Sequence, residues 1–174
     1  VVQGDISSQF ITGFMFVLPL LKNDSTLTIT EPYESKSYVN LTIQMLAKFG
    51  IEITETSSNS YLIKGNQHYK AQNVSVEGDF SQLAFFAVLG TLNNTLSCSN
   101  MDMSSKQGDK AILDCIPSYT SQEDTITFTK KQPMPQTIDL SNCPDLGPIL
   151  CVLASFTNGE TNIVNAARLR MKES

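Results

Sequence analysis

The residues of this chain best suited to chemistry fall in four short segments, each beside a turn between an extended stretch and a helical run. Gly4-Asp5-Ile6-Ser7-Ser8-Gln9 places two hydroxyls and a carboxamide at one such turn. Hydroxyl donors, first-turn amides and the positive end of a helix dipole together suit an anion, most often phosphate. The same residues also suit a plain cap, with Ser7 or Ser8 accepting from an amide of the first turn. Ser35-Lys36-Ser37-Tyr38 stands at the equivalent turn further on. It offers a hydroxyl and a cation to the same anion, or again a cap beside a solvated lysine. Cys143-Pro144-Asp145-Leu146-Gly147-Pro148 sets a carboxylate in the first turn of an apolar run, where it also complements the dipole. Arg168-Leu169-Arg170-Met171-Lys172-Glu173 follows an extended stretch and holds three of the twelve Lys and Arg, together with a carboxylate. A solvated basic loop is the bland reading of that density.

Other chemistries find little support. His68 is the only histidine, so a Ser-His-Asp or Cys-His arrangement has one candidate base. Cys98, Cys115, Cys143 and Cys151 form no C-x-x-C pair and have no flanking histidines, which argues against zinc. They read as reduced core thiols. A net charge of −5 provides no basic stripe for nucleic acid or an anionic membrane. Phe10–Leu21 is apolar but only 12 residues long and interrupted by Thr12, Gly13 and Pro19, whereas a membrane span needs ~20. It lacks the basic start and cleavage site of a signal peptide. The chain reads as soluble and cytoplasmic.

The elements that must position these residues repeat along the chain. Gly4-Asp5-Ile6-Ser7 recurs as Gly78-Asp79-Phe80-Ser81, 74 residues later, and more weakly as Asp139-Leu140-Ser141. Each precedes an expected helix: Phe10–Leu21, Leu83–Leu92 and Leu146–Phe156. Alternating strands follow at Thr26–Thr30, Thr95–Ser99 and Thr161–Asn165. Then come lysine-bearing loops, with second helices expected at Tyr38–Phe49 and Asp109–Ile116. Two strands, Ile51–Thr56 and Tyr61–Lys64, close the first copy, with Gly50 as a helix stop. Only Thr125–Thr129 is clear in the second copy, and Gln72–Glu77 is a candidate for its first strand. Phe14, Val17, Leu18 and Leu21 are expected in the core. The polar stretch Gly65–Gln72 has the composition of a connection, and His68 within it reads as a surface residue. The third copy stops at Ser174 and the first enters directly into a strand at Val1, which suggests truncation at both ends.

Taken together, Gly4–Phe10, Glu34–Tyr38, Val76–Asp79 and Asn165–Ser174 resemble the 5-enolpyruvylshikimate-3-phosphate (EPSP) synthase family, in matching order and spacing over essentially the whole chain. The resemblance implies an α/β (α+β) fold of repeated βαβαββ units, an inside-out α/β barrel with two lobes and a cleft between them. About two and a half units would be present: residues 1–72 as the last unit of one lobe, and 73–174 as the first one and a half units of the other. It implies transfer of the enolpyruvyl group of phosphoenolpyruvate to the 5-hydroxyl of shikimate 3-phosphate, without metal or organic cofactor. On this resemblance Ser7, Ser8 and Ser35 bind the shikimate phosphate, Gln9 lies between the two substrates, and Tyr38 contacts the shikimate ring. Asp145 accepts the proton of the attacking hydroxyl, Lys172 contacts the phosphate, and Glu173 donates a proton to the enolpyruvyl methylene. Such a carboxylate pair suits a reaction that removes one proton and supplies another. Arg168 stands where some members carry a substrate-contacting asparagine. The family's remaining substrate-binding lysines and arginines have no match here, so the chain alone is expected to be inactive and to need the remainder of the full-length enzyme. The alternatives are a UDP-N-acetylglucosamine enolpyruvyl transferase, whose glycine-flanked loop cysteine has no counterpart here, and a non-catalytic phosphosugar-binding remnant.

Overall fold

The structure, a computed structural model, describes residues 1–171; Lys172, Glu173 and Ser174 lie outside the described residues. The chain divides into two compact units, Val1–Ser75 and Val76–Ser174.

Unit one is a complete βαβαββ motif: β1 (Val2–Gln3), α1 (Ser8–Val17), β2 (Ser25–Thr30), α2 (Lys36–Lys48), β3 (Ile53–Ser57) and β4 (Ser60–Ile63). The sheet runs in the order β1-β2-β4-β3, with β1 parallel to β2 and the other pairs antiparallel. Alternation in Thr26-Leu27-Thr28-Ile29 turns Leu27 and Ile29 into the core, where they meet Ile11, Met15, Val39, Leu46, Ile51, Tyr61 and Ile63. Gly50 ends α2 with φ +81°, a conformation that costs glycine nothing. Its amide bonds to Ala47 and that of Ile51 to Leu46, each at 3.0 Å, closing the helix with buried Ile51 against buried Leu46.

Two expectations are corrected in unit one. In α1 the buried residues are Ile11 and Met15, while Phe14 is 47% exposed, Val17 55% and Leu21 45%, and Leu18 is half-buried. Apolar residues cover more than half of the helix surface, so periodicity did not choose which part of it meets the sheet. The stretch after Gly65, expected as a connection, is bonded into unit one instead. Asn66 and Gln67 donate to the carbonyls of Leu21 and Pro19, and Lys70 to that of Phe49. The Gln67 side chain bridges Glu52 and Lys64, and the Tyr69 hydroxyl reaches the Phe16 carbonyl. Its polarity serves backbone groups that would otherwise lack partners. His68 is exposed.

Unit two begins with α3 (Phe80–Leu92) and continues through β5 (Leu96–Cys98), a 3-10 turn (Gly108–Ala111), α4 (Ile112–Cys115), β6 (Tyr119–Gln122) and β7 (Thr125–Phe128). Then come β8 (Thr137–Asp139), a 3-10 turn (Pro144–Leu146), α5 (Gly147–Ser155), β9 (Asn162–Val164) and a final 3-10 turn (Ala167–Met171). β5, β7 and β6 form an antiparallel sheet, and β8 pairs with β9 in parallel. Phe80, Ala84, Ile112, Ile126, Phe128, Leu146 and Leu150 are fully buried at its core. The expected strand at Gln72–Glu77 does not form; the Gly78 amide just after it donates to the Asn100 carbonyl at 2.7 Å, and the Glu77 side chain bonds to Ser105 and Gln107, all in the loop after β5. Val74 and Val76 are 37% and 76% exposed, so a strand there would bury no apolar face. β6, unforeseen because Tyr119 is its one apolar residue, is recruited by pairing with β7.

No disulfide forms among the described residues. Cys143 is buried, but Cys151 is exposed and is not a core thiol. Burial, with a contribution from Asp109 and other neighbours, pushes the Cys143 thiol up to about 12. Burial and Asp114 push Cys115 up to about 11.

Candidate functional site

Parallel pairing decides which loops meet. Because β1 and β2 run the same way, the chain leaves both at the same end of the sheet, and the starts of α1 and α2 come together there. The Glu34 amide donates to the Gly4 carbonyl at 3.2 Å, tying one loop to the other. Gly4 is buried in this contact: a Cβ there would stand 2.7 Å from the Pro32 carbonyl oxygen and closer still to that of Thr30. Only glycine allows so close an approach.

At the start of α1, Ser7 has extended backbone and its Oγ accepts from the Gln9 amide at 3.2 Å. The cap is therefore real. It uses a lone pair of the hydroxyl, however, and a serine that accepts still has its own proton to donate. Ser8 is half-buried beside it, and Gln9 is exposed. At the start of α2, Ser35 is 1% exposed and left-handed, with φ +56°. Its hydroxyl does not cap the helix, but its carbonyl accepts from the Tyr38 amide at 3.1 Å. Tyr38 is half-buried one turn along. Ser7, Ser8, Gln9, Ser35 and Tyr38 thus belong to two adjoining helix starts. Lys36 does not add its charge to them, contrary to the reading of that loop. Its ammonium lies 2.6 Å from Glu55 and 2.8 Å from the Ser58 carbonyl, on the β3–β4 hairpin.

The same rule acts in unit two. β8 and β9 are parallel, so the loop before α5 and the segment after β9 share one end of the pair. Asp145 lies exposed in the 3-10 turn before α5, and Arg168 is half-buried in the turn after β9. Buried Gly147 lets these segments touch, since a Cβ there would fall 2.7 Å from Leu169 Cδ1. Asp139 accepts from the Ser141 amide at 2.8 Å and from the Asn165 side chain at 2.9 Å. Those bonds hold its carboxyl below the usual range and fix Asn165 at φ +56°. The expected roles of Lys172 and Glu173 fall on residues outside those described.

The corresponding junction of the second copy differs in chemistry. Glu77, at the place of Gln3, accepts from Ser105 Oγ at 2.8 Å and from Gln107 Nε2 at 2.9 Å. Ser81 Oγ donates to buried Asp109 at 2.7 Å. The hydroxyl and carboxamide donors of this junction serve two internal carboxylates. Sequence reading passed over this contrast, although a glutamate before the repeated glycine was its visible signal. It also passed over Glu55, whose separation of 19 residues from Lys36 is set by the hairpin. Among the described residues, no three His, Cys, Asp or Glu side chains are grouped so as to hold a metal ion.

A βαβαββ unit followed by a partial second and third copy defines the enolpyruvyl transferase fold. The structure matches EPSP synthase from Acinetobacter baumannii with a TM-score of 0.75 at 18% identity, covering 100% of this chain and 42% of that one. It matches the enolpyruvyl transferase NikO from Streptomyces tendae with a TM-score of 0.66 at 15% identity, over 86% of this chain and 37% of that one. The model of the EPSP synthase (3-phosphoshikimate 1-carboxyvinyltransferase) family matches residues 1–174, and the chain belongs to that family. The 3-phosphoshikimate 1-carboxyvinyltransferase of Clostridium kluyveri is 47% identical over 99% of this chain and 42% of its own length. That of Clostridium acetobutylicum is 51% identical over 98% of this chain and 40% of its own length. The chain thus spans about two fifths of the length of these curated relatives.

Proposed function

We propose that this chain is the part of an EPSP synthase that binds the phosphate of shikimate 3-phosphate and supplies two proton-transfer carboxylates for enolpyruvyl transfer. The observation that carries this reading is the meeting of Ser7, Ser8 and Gln9 with Ser35 and Tyr38 at one end of a parallel strand pair, in a chain whose whole length matches the family. Hydroxyls and amides at two helix starts stabilise a phosphate through hydrogen bonds and aligned dipoles. In the proposed reaction the 5-hydroxyl adds to C2 of phosphoenolpyruvate, Asp145 takes the hydroxyl proton, and Glu173 gives a proton to the methylene carbon. The resulting methyl group then loses a proton as the C2–O bond to phosphate breaks, which restores the double bond and releases phosphate. Lys172 and Arg168 are assigned to substrate contacts.

Residues 1–72 are read as the last unit of one lobe and 73–174 as the first one and a half units of the other, with the remaining protein supplying the cations that hold phosphoenolpyruvate. We place the reaction in the cytoplasm; no helix among the described residues is long and apolar enough to cross a membrane. The family match favours this reading over a UDP-N-acetylglucosamine enolpyruvyl transferase. Calorimetric titration with shikimate 3-phosphate tests it: the chain binds, and Ser8→Ala weakens binding. Phosphate release from the two substrates is expected to stay at the level of a Glu173→Ala control in this chain alone. Equal affinity of the wild-type and Ser8→Ala chains overturns the site assignment.

A further inference from the structure

We propose that Lys36 is a positioning residue for the anion site at the starts of α1 and α2, holding Ser35 in place instead of lending the ligand a cation. This rests on reading that end of unit one as a phosphate site. Ser35 is a non-glycine residue at φ +56°, a conformation that persists only where its surroundings impose it. The next residue along the chain is Lys36, so fixing the Lys36 side chain restricts the turn that Ser35 occupies.

The anchor is well made. Lys36 Nζ donates to Glu55 Oε1 and to the Ser58 carbonyl, and it stands 5.8 Å from the centre of the Tyr33 ring. Glu55 lies in β3 and Ser58 in the turn of a hairpin that is itself fastened to β2. There, Asn59 Nδ2 donates to the Ile29 carbonyl at 3.0 Å, and the Ile29 amide donates to the Asn59 carbonyl at 2.8 Å. Force on Ser35 is thus passed through Lys36 to the hairpin and from there to the strand that precedes the site. The two side chains of the pair are 29% and 45% exposed, and an ion pair so exposed adds little to global stability. Its effect is local. Glu55 also neutralises the ammonium, which leaves the site to hydroxyls and amides.

The two roles predict opposite results for Glu55. If Lys36 served the ligand directly, Glu55→Ala would free its charge and tighten binding. If Lys36 acts as a tether, removing either partner releases Ser35. Shikimate 3-phosphate is titrated into the full 174-residue chain, and hydrogen exchange is followed at the Tyr38 amide, which bonds to the Ser35 carbonyl. Lys36→Ala and Glu55→Ala should each weaken binding by about tenfold and speed Tyr38 exchange, and Lys36→Arg should restore both. Glu55→Gln takes the place of any alanine variant that fails to fold. Tighter or unchanged binding in the Glu55 variant, or unchanged Tyr38 exchange in both, overturns the proposal. Failure of the wild-type chain to bind removes the phosphate reading alone, and Tyr38 exchange then still decides whether Lys36 holds the turn.

Discussion

Leu169 occupies the space that a side chain on Gly147 would need, with Cδ1 at 2.7 Å and Cδ2 at 3.0 Å from the missing Cβ. This contact seats the turn carrying Arg168 against the start of α5, two residues after Asp145. Gly147→Ala is therefore expected to destabilise unit two by about 1–3 kcal/mol through overpacking, as measured by urea unfolding. Leu169→Ala in the same background should recover part of that loss. A Gly147→Ala protein as stable as wild type refutes the close seating.

The two loops of unit one make a second prediction. Ser35→Ala and Ser8→Ala each remove a hydroxyl from the proposed phosphate site and should weaken shikimate 3-phosphate binding by about 10- to 100-fold, the usual scale for a hydrogen bond to a charged group. Ser105→Ala, at the second junction, should leave that affinity unchanged, because its hydroxyl is committed to Glu77. Calorimetry on the three variants separates the junctions.

Asp139 ties acid stability to the end of β8. Its carboxyl is held below the usual value by the Ser141 amide first and the Asn165 side chain next. A carboxyl lower in the folded than in the unfolded chain stabilises the fold above the unfolded value. That contribution disappears as pH falls through the folded value. Acidification below the ordinary carboxylate range should therefore loosen Asn165, seen as weaker protection, relative to the intrinsic exchange rate at the same pH, of the Leu140 amide that bonds to Val164. Asp139→Asn should remove the pH dependence of that protection.

Thiol accessibility supplies a fourth test. Cys151 is exposed, whereas burial raises Cys143 to about 12 and Cys115 to about 11. With iodoacetamide near neutral pH, Cys151 should be alkylated first and Cys143 last, in an order read by peptide mass spectrometry. Early modification of Cys143 would contradict its packing.

How much of this was visible in the sequence depends on whether the signal was local. The repeat, the strand at Ser25–Thr30, the stop at Gly50 and the serines at the helix starts could all be read from neighbouring residues. Alternation, left-handed glycine and hydroxyl caps act within a few positions of one another. The same evidence failed for α1, where apolar residues cover more than half of the helix and Ile11 and Met15, not Phe14 and Val17, are buried. It failed again at Gln72–Glu77, where alternating valines met no surface on which to pair.

From residue order alone came the chemistry on offer: two hydroxyl-rich helix starts, a carboxylate before α5, and the succession of copies that carries the family resemblance. Tertiary structure alone decided which of these groups meet. Parallel pairing of β1 with β2 joins Ser7, Ser8 and Gln9 to the turn holding Ser35, and pairing of β8 with β9 joins the Asp145 turn to that of Arg168. It also directed Lys36 away from the proposed anion site, since the hairpin brings Glu55 within 2.6 Å of it across 19 residues of sequence. Local preferences act along the chain, whereas ion pairing and close packing depend on distance in space, which is fixed only once the strands have chosen their partners.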